Sequence, residues 1–546
     1  MFVQEAPRLG NRLAGDPALA GALERLLSKE AWPQARDDLT RFAGRVGDEF
    51  AAMQMEAEAH PPRHVPFDAW GRRVDRVDVS PVWLRLVREG LESGLVAVAY
   101  EQPGPDGRVL QAALVQLFQP ACAMATCPMA MTDGAARVLL AHDPELATVY
   151  VPRLTRRSGT WTSGQWMTET PGGSDVSRTE VVARPAADGR WTLHGTKWFT
   201  SATTADIALV LARPEGSADD AAGLSLFLVE LRRPGGSWNA LEVRRLKDKM
   251  GTRALPTAEL ELRGTLAVPV GGTGRGVAKV ATMLNVTRLW AAYGGVGPAG
   301  HLLALARDYA SRREAFGRRL SDLPIHTCWL AELAAVYEAT VALSFQAAWF
   351  VGAAEAGRGD PLLARIVTPL AKLACTRQAL SVCSELVEAF GGAGYLEDTG
   401  LPVIFRDAHV QVIWEGTSSV LAQDVLRALR TVQARDALHD DLGRRLARAG
   451  HPGLAATVAQ VTKAAAQLRR LTAEADEATA RPLAWSLART YEAVLLCEAA
   501  SQDPGNRRLA AAARVFCRQP LITADAEPAS LAVLAYGEDR LNIPDP

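Results

Sequence analysis

Two short segments, far apart in the chain, hold residue types that could do chemistry. The first is Met167-Thr168-Glu169-Thr170-Pro171-Gly172-Gly173-Ser174-Asp175, a glycine-rich turn flanked by hydroxyls. Such a turn can offer backbone N–H groups and a Ser hydroxyl to a phosphate. The second is Trp414-Glu415-Gly416-Thr417-Ser418-Ser419, one carboxylate beside an indole and a Gly-Thr turn. Together they point to a bound anionic cofactor and a catalytic base. Each has a plainer reading: a glycine-rich string alone is weak, and Glu415 could cap a helix opened by Gly416-Thr417-Ser418.

Two further motifs lie between these segments, Arg313-Glu314-Ala315-Phe316-Gly317 and Phe390-Gly391-Gly392-Ala393-Gly394-Tyr395. The four, in this order, resemble the signatures of the acyl-CoA dehydrogenase family of flavoenzymes, with Thr170 where the family usually has Pro. The resemblance implies FAD as cofactor and an acyl-CoA as substrate. It makes Glu415 the base that removes the α-proton of the thioester, while the β-hydride passes to the flavin. Arg288, in Asn285-Val286-Thr287-Arg288, would lie near the acyl-CoA site and help balance Glu415; the alternative is a plain surface Arg. Thr287 stands where some relatives carry the base and cannot act as one.

The same resemblance assigns the cofactor contacts. Thr168 and Ser174 would meet flavin and phosphate, with Met167 and Gly173 acting through their backbones. Aligned on Lys197, Phe199 would stack on the flavin and Ser201 would supply a hydroxyl at its reactive edge. Trp198 competes with Phe199, but strand alternation places it on the opposite face. Arg313 and Phe316 would reach the adenine–pyrophosphate half from a neighbouring subunit, unless Arg313 merely belongs to a solvated Arg-rich face. Glu388, Gly391 and Gly392 match the complementary loop, with Glu388 where the family has an amide; Trp414, Thr417 and Ser419 complete the set. A site shared in this way implies a homo-oligomer, a tetramer built as a pair of dimers. Trp414, larger than the Tyr of many relatives, predicts a pocket for short or branched acyl chains.

Composition narrows the alternatives. A formal net charge of −1 gives no global pull toward nucleic acid or anionic lipid. Met1 to Gly10 is mixed in character and predicts no secretory signal. Leu289 to Ala306 lacks charged residues but is rich in Gly, which predicts a closely packed helix rather than a membrane span. The seven cysteines read as free thiols of a reducing cytoplasm. Cys122 and Cys127 have no zinc-like spacing or accompanying His cluster, so no metal is expected.

The elements that must position these residues follow from periodicity. The expected fold is mostly α with a central β domain: an N-terminal helical domain (1–160), an antiparallel β domain (161–270), a four-helix bundle (271–430) and an extra C-terminal helical domain (431–546). Gly271-Gly272-Thr273-Gly274-Arg275-Gly276 looks dinucleotide-like but follows a β domain, so it reads as a lead-in to the next helix. The extra tail narrows the resemblance to the AidB-like branch, associated with the adaptive response to DNA alkylation. Phe67-Asp68-Ala69-Trp70-Gly71-Arg72-Arg73 and Cys127-Pro128-Met129-Ala130-Met131 agree with that branch. Two acid-free runs in the tail, Arg444 to Arg470 and Arg507 to Arg518, could bind double-stranded DNA without sequence specificity, or form a helical cap or oligomer contact. The alternative to a dehydrogenase is therefore a DNA-binding alkylation-response protein with weak or vestigial activity. Acyl chain and electron acceptor stay open.

Overall fold

The computed structural model describes residues 5–187 and 189–523. Its N-terminal part is built from helices including Pro17–Leu26, Trp32–Arg45, Pro81–Glu92, Pro105–Phe118, Thr126–His142 and Pro144–Thr155. Pro opens four of these, where its missing N–H leaves nothing unsatisfied and its fixed φ suits the first turn. Asp16 and Asp143 accept the N–H groups of Leu19 and Leu146 and cap their helices. Pro105–Phe118 and Thr126–His142 are buried over most of their length.

A hairpin, Arg63–Phe67 against Arg73–Asp78, interrupts a region whose sequence reads as helical throughout. Its strands are polar and one contains Pro66, so no apolar alternation announces them. The turn makes it: Asp68 Oδ1 accepts from the N–H groups of Trp70 and Arg72, and Gly71 sits at φ +78°. Arg73 then donates to the Val243 carbonyl at 2.9 Å and ties the hairpin to the β domain.

Seven strands form that domain: Ser163–Trp166, Val182–Pro185, Trp191–Ser201, Ile207–Pro214, Ser225–Glu230, Leu241–Leu246 and Thr257–Pro269. Five close a ring, because Ile207–Pro214 pairs with both Val182–Pro185 and Ser225–Glu230. The expectation of an antiparallel domain needs correction. Ser163–Trp166 and Val182–Pro185 both run parallel to Ile207–Pro214. Both are four-residue strands whose pairing is not set by a hairpin turn legible in the sequence.

Three long helices follow, Gly276–Arg312, Pro324–Glu355 and Pro361–Glu388. Two shorter ones, Leu401–Gln411 and Ser418–Ala428, occupy the fourth place of the bundle. Glycine is required where the helices touch: a Cβ at Gly297 would come within 2.4 Å of the Gln116 carbonyl. Pro324–Glu355 is long and apolar enough to cross a membrane, with a mean hydropathy of 1.3, yet 56% of that stretch is buried within the protein. The glycine loop before the bundle is a cage for an ammonium, since Lys279 Nζ donates to the carbonyls of Gly271, Gly272 and Gly274. Its carbonyls point inward, the opposite of an anion cradle.

The tail packs onto the bundle through Ala480–Gln502, which is buried over most of its length. Several arginines of its acid-free runs are paired. Arg445 and Arg448 both bond Glu498, Arg445 and Arg444 meet Asp441, and Arg508 pairs with Glu338. The runs lack acids only along the chain; Glu498 and Glu338 come from helices far away in sequence.

Candidate active site

Glu415 lies at the meeting of the β domain and the bundle. Thr287 Oγ1, on Gly276–Arg312, donates to its Oε2 at 2.6 Å, and Gln165 Nε2, on Ser163–Trp166, approaches the same oxygen at 3.4 Å. Gln165 lies two residues before Met167, so the two segments singled out from sequence converge here. Both bonds fall on Oε2, leaving Oε1 to accept a proton. Glu415 does not cap the following helix; Thr417 occupies that place.

Arg288 is buried, not a surface residue, and its role differs from a counter-charge to the carboxylate. Its Nε donates to the main-chain oxygen of Glu415 at 3.0 Å, while Nη1 pairs with Asp424 at 2.7 Å. Burial would raise the Asp424 carboxyl, but its bond to Arg365 and the charges of Arg288, Arg365 and Arg427 outweigh that and hold it below its ordinary value. Lys372, fully buried on Pro361–Glu388, donates to the Gly416 carbonyl at 2.7 Å. Gln165, Asp424, Lys372 and the donor role of Thr287 escape the sequence reading. Only Lys372 leaves a signal, a lone charge inside the apolar run Leu370-Ala371-Lys372-Leu373-Ala374.

On the barrel side, Glu169 and Lys197 form a buried pair at 2.5 Å. Glu169 also accepts the N–H groups of Glu180 and Val181, which fixes the glycine-rich turn to the sheet. The Trp198 N–H donates to the Thr168 carbonyl at 3.0 Å. Register shifts between Lys197 and Thr200, so strict alternation fails there. Lys197 and Thr200 are buried, whereas Trp198 and Phe199 both face outward, with the Lys247 ammonium 3.3 Å and 4.7 Å from their ring centres. The argument that Trp198 must face away from Phe199 is therefore corrected. Ser201 Oγ lies 3.1 Å from Thr257 Oγ1.

These surfaces fit a flavin. Phe199 is 49% exposed and follows Trp198, whose N–H meets the Thr168 carbonyl. Gly173 leaves the Thr168 side chain open, since a Cβ there would come within 2.9 Å of it. Met167 is buried, Ser174, Thr417 and Ser419 are exposed, and Trp414 is half-buried with its indole N–H on Gln411 Oε1 at 3.0 Å.

The remaining contacts lie elsewhere. Arg313 and Phe316 follow the far end of Gly276–Arg312, and from Thr287 to Arg312 that helix runs roughly 37 Å at its usual rise. The Tyr309 and Phe390 rings, 5.2 Å apart, bring the Gly391–Gly392 loop to the same end. Phe316 is 96% exposed at φ +53°, and Glu388, Gly391 and Gly392 are exposed as well.

Comparison with known proteins agrees over nearly the whole chain. Residues 6–158 match the adaptive response protein AidB N-terminal domain, 164–265 the acyl-CoA dehydrogenase middle domain, 274–430 the acyl-CoA dehydrogenase C-terminal domain, and 433–535 the acyl-CoA dehydrogenase 11 C-terminal domain-like family. Acyl-CoA dehydrogenase family member 11 of Caenorhabditis elegans is 38% identical, covering 95% of this chain and 90% of that one. The AidB protein of Escherichia coli (strain K12) is 32% identical over 75% of this chain and 77% of its own. The solved structure of Caenorhabditis elegans ACDH-11 in complex with C11-CoA superposes with a TM-score of 0.94 at 38% identity, covering 98% of this chain and 95% of that one. The apo form of Bd2924 gives 0.85 at 42% identity, covering 92% and 100%. With its AidB-type N-terminal domain and its acyl-CoA-dehydrogenase-11-like tail, the chain belongs to the acyl-CoA dehydrogenase family of FAD-dependent oxidoreductases.

Proposed function

We propose that the protein catalyses α,β-dehydrogenation of an acyl-CoA, with Glu415 as the general base. The observation that carries this is the convergence of Glu415 with Thr287 and with Gln165, whose strand leads directly into Met167 and Thr168. Thr168, Gly173, Ser174, Phe199 and Ser201 would hold FAD, which when bound supplies the acceptor for the β-hydride. Glu415 takes the α-proton on its uncommitted oxygen, and the electron pair of that C–H bond becomes the new double bond. Thr287 fixes the carboxylate so that no reorientation is needed at the moment of transfer. Glu415→Gln is nearly isosteric and cannot accept the proton. It should keep FAD and lose anaerobic flavin reduction by acyl-CoA by a hundredfold or more, on the order expected for loss of a general base. Near-normal reduction in that variant would refute the assignment.

The oligomer reading is supported by the distance between the two ends of the site. Arg313, Phe316, Gly391 and Gly392 sit together, far from Phe199 and Glu415, so a second copy would bring them to the cofactor of its neighbour. We take the assembly to be a tetramer of two such pairs. The paired arginines of the tail give DNA binding no comparable support.

The acyl chain divides two readings. The bulk of Trp414 beside the base favours a short or branched chain. A longer chain is favoured by the relative solved with C11-CoA, and by the bond that ties the Trp414 indole to Gln411 on the bundle. Flavin reduction by isovaleryl-, butyryl-, C11- and palmitoyl-CoA separates them. The fastest of the first two supports the volume argument, C11-CoA supports the second reading, and palmitoyl-CoA as best substrate defeats the first.

A further inference from the structure

The turn that carries Glu415 is held from two helices by two cations. Glu415 sits at φ +58°, a left-handed conformation that a residue with a Cβ adopts at a cost, and Gly416 follows at +105°. Such a turn persists only when its surroundings fix it. Its two consecutive carbonyls each accept from a buried basic side chain: Arg288 Nε on Glu415 O at 3.0 Å, and Lys372 Nζ on Gly416 O at 2.7 Å. The two cations come from Gly276–Arg312 and Pro361–Glu388, so the turn is braced from both sides of the bundle.

The two are not equivalent. Arg288 is neutralised by Asp424, which Arg365 also grips at 2.6 Å. Lys372 makes no ion pair among the described residues; Gly416 O is its hydrogen-bond acceptor. A buried ammonium without a carboxylate is expensive, and a methionine would fill the space without that cost. Burial draws the Lys372 ammonium down to about 7, with Glu415 opposing the shift and Arg288 adding to it. The bond it makes there is to the carbonyl of the residue that follows Glu415.

We propose that Lys372 is a positioning residue for the base: with Arg288 it clamps consecutive carbonyls of the Glu415–Gly416 turn and holds Glu415 where its carboxylate meets Thr287. The proposal rests on the reading of Glu415 as the base, but the clamp itself is a statement about the turn and can be tested apart from it.

The test compares Lys372→Met and Lys372→Arg in the full chain loaded with FAD. It reads anaerobic flavin reduction by an acyl-CoA, the isotope effect with the α-deuterated acyl-CoA, and amide hydrogen exchange across residues 414–418. Lys372→Met should keep FAD and change KM by less than about twofold, while reduction slows roughly a hundredfold, the cost of a misplaced reacting group. The α-deuterium isotope effect should rise and exchange at 414–418 should quicken. Lys372→Arg, which keeps a cation, should recover most of the rate. A rate that falls only in proportion to lost FAD, or unchanged exchange at 414–418, assigns Lys372 to packing and overturns the clamp. Should the Met variant fail to fold, Lys372→Gln carries the same readouts, and native rate and exchange in it would equally overturn the proposal. The exchange does not depend on which residue takes the proton. Normal reduction in Glu415→Gln therefore removes the base reading alone, while native exchange in the Lys372 variants removes the clamp alone.

Discussion

The two ends of the site are built on different terms. At the base end the contacts come from the same chain: Glu415 meets Thr287 and Gln165, and its turn meets Arg288 and Lys372. At the far end of Gly276–Arg312, Phe316 is 96% and Tyr395 90% exposed, and Gly391 and Gly392 have nothing within 4 Å of where a Cβ would be. Exposed aromatics of that size beside open glycines are the signature of a surface made to be covered. On the proposed function, one chain would then supply the whole base end, and a second copy would cover the far end.

The largest effect should come from breaking the exposed end. Phe316→Asp alters nothing inside the chain, because the ring is almost wholly in solvent. It should nevertheless abolish assembly and most FAD retention, since anything that binds only the assembled state is linked to assembly. Light scattering and flavin absorbance of the same sample check this. A variant that stays oligomeric with full FAD would show that the far end contributes nothing to the cofactor, and the contrast between the ends would collapse.

A smaller effect is expected at the base end. Thr287→Val keeps the shape of the side chain and removes the donor to Glu415 Oε2. Flavin reduction by acyl-CoA should fall about tenfold, in line with one lost charge-assisted hydrogen bond. FAD content and assembly should not move, because Thr287 is buried within one chain. Loss of flavin in this variant would mean that the two ends are coupled through Gly276–Arg312 rather than built separately.

How much of this was legible follows the same division. The far end announces itself in contiguous motifs, because glycines and an exposed aromatic must sit at fixed spacing on a turn. Glu415 stands out in the same way, on a turn beside Gly416. What the sequence hides is supplied by residues whose partners are set by packing. Gln165 lies on a strand paired in parallel across a crossover, and Thr287 shows only as a residue that cannot be a base. The outward turn of Trp198 beside Phe199 depends on a register shift that alternation cannot foresee. The hairpin at Arg63–Asp78 rests on one Asp and one Gly, not on apolar periodicity. The arginine runs of the tail look free because Glu498 and Glu338 lie on distant helices.

The smallest effect tests how far support for the base end extends into the tail. Gln378, on the same helix as Lys372, donates to Glu492 Oε1 at 2.7 Å. Burial pushes the Glu492 carboxyl from its ordinary 4.5 up to about 7, against the opposing charge of Arg489 and the bond from Gln378. Between those values the folded chain keeps a proton that the unfolded chain has released. The stability tied to that proton is therefore complete below 4.5 and is lost as pH rises through 7. Glu492→Gln keeps the acceptor for Gln378 and does not titrate. At pH 8 the variant should be more stable than the parent by on the order of 1–3 kcal/mol, and the difference should shrink toward pH 4.5. Lys372, Lys249 and Asp407, drawn by burial to about 7, 8 and 7, titrate nearby but are present in both chains, so the difference between the two unfolding curves isolates Glu492. Flavin reduction should be unchanged within about twofold, because the bond that steadies the Lys372 helix survives the substitution. A variant less stable at pH 8 would mean that Glu492 is held as a charged partner of Arg489. The tail would then brace the base end electrostatically rather than by packing.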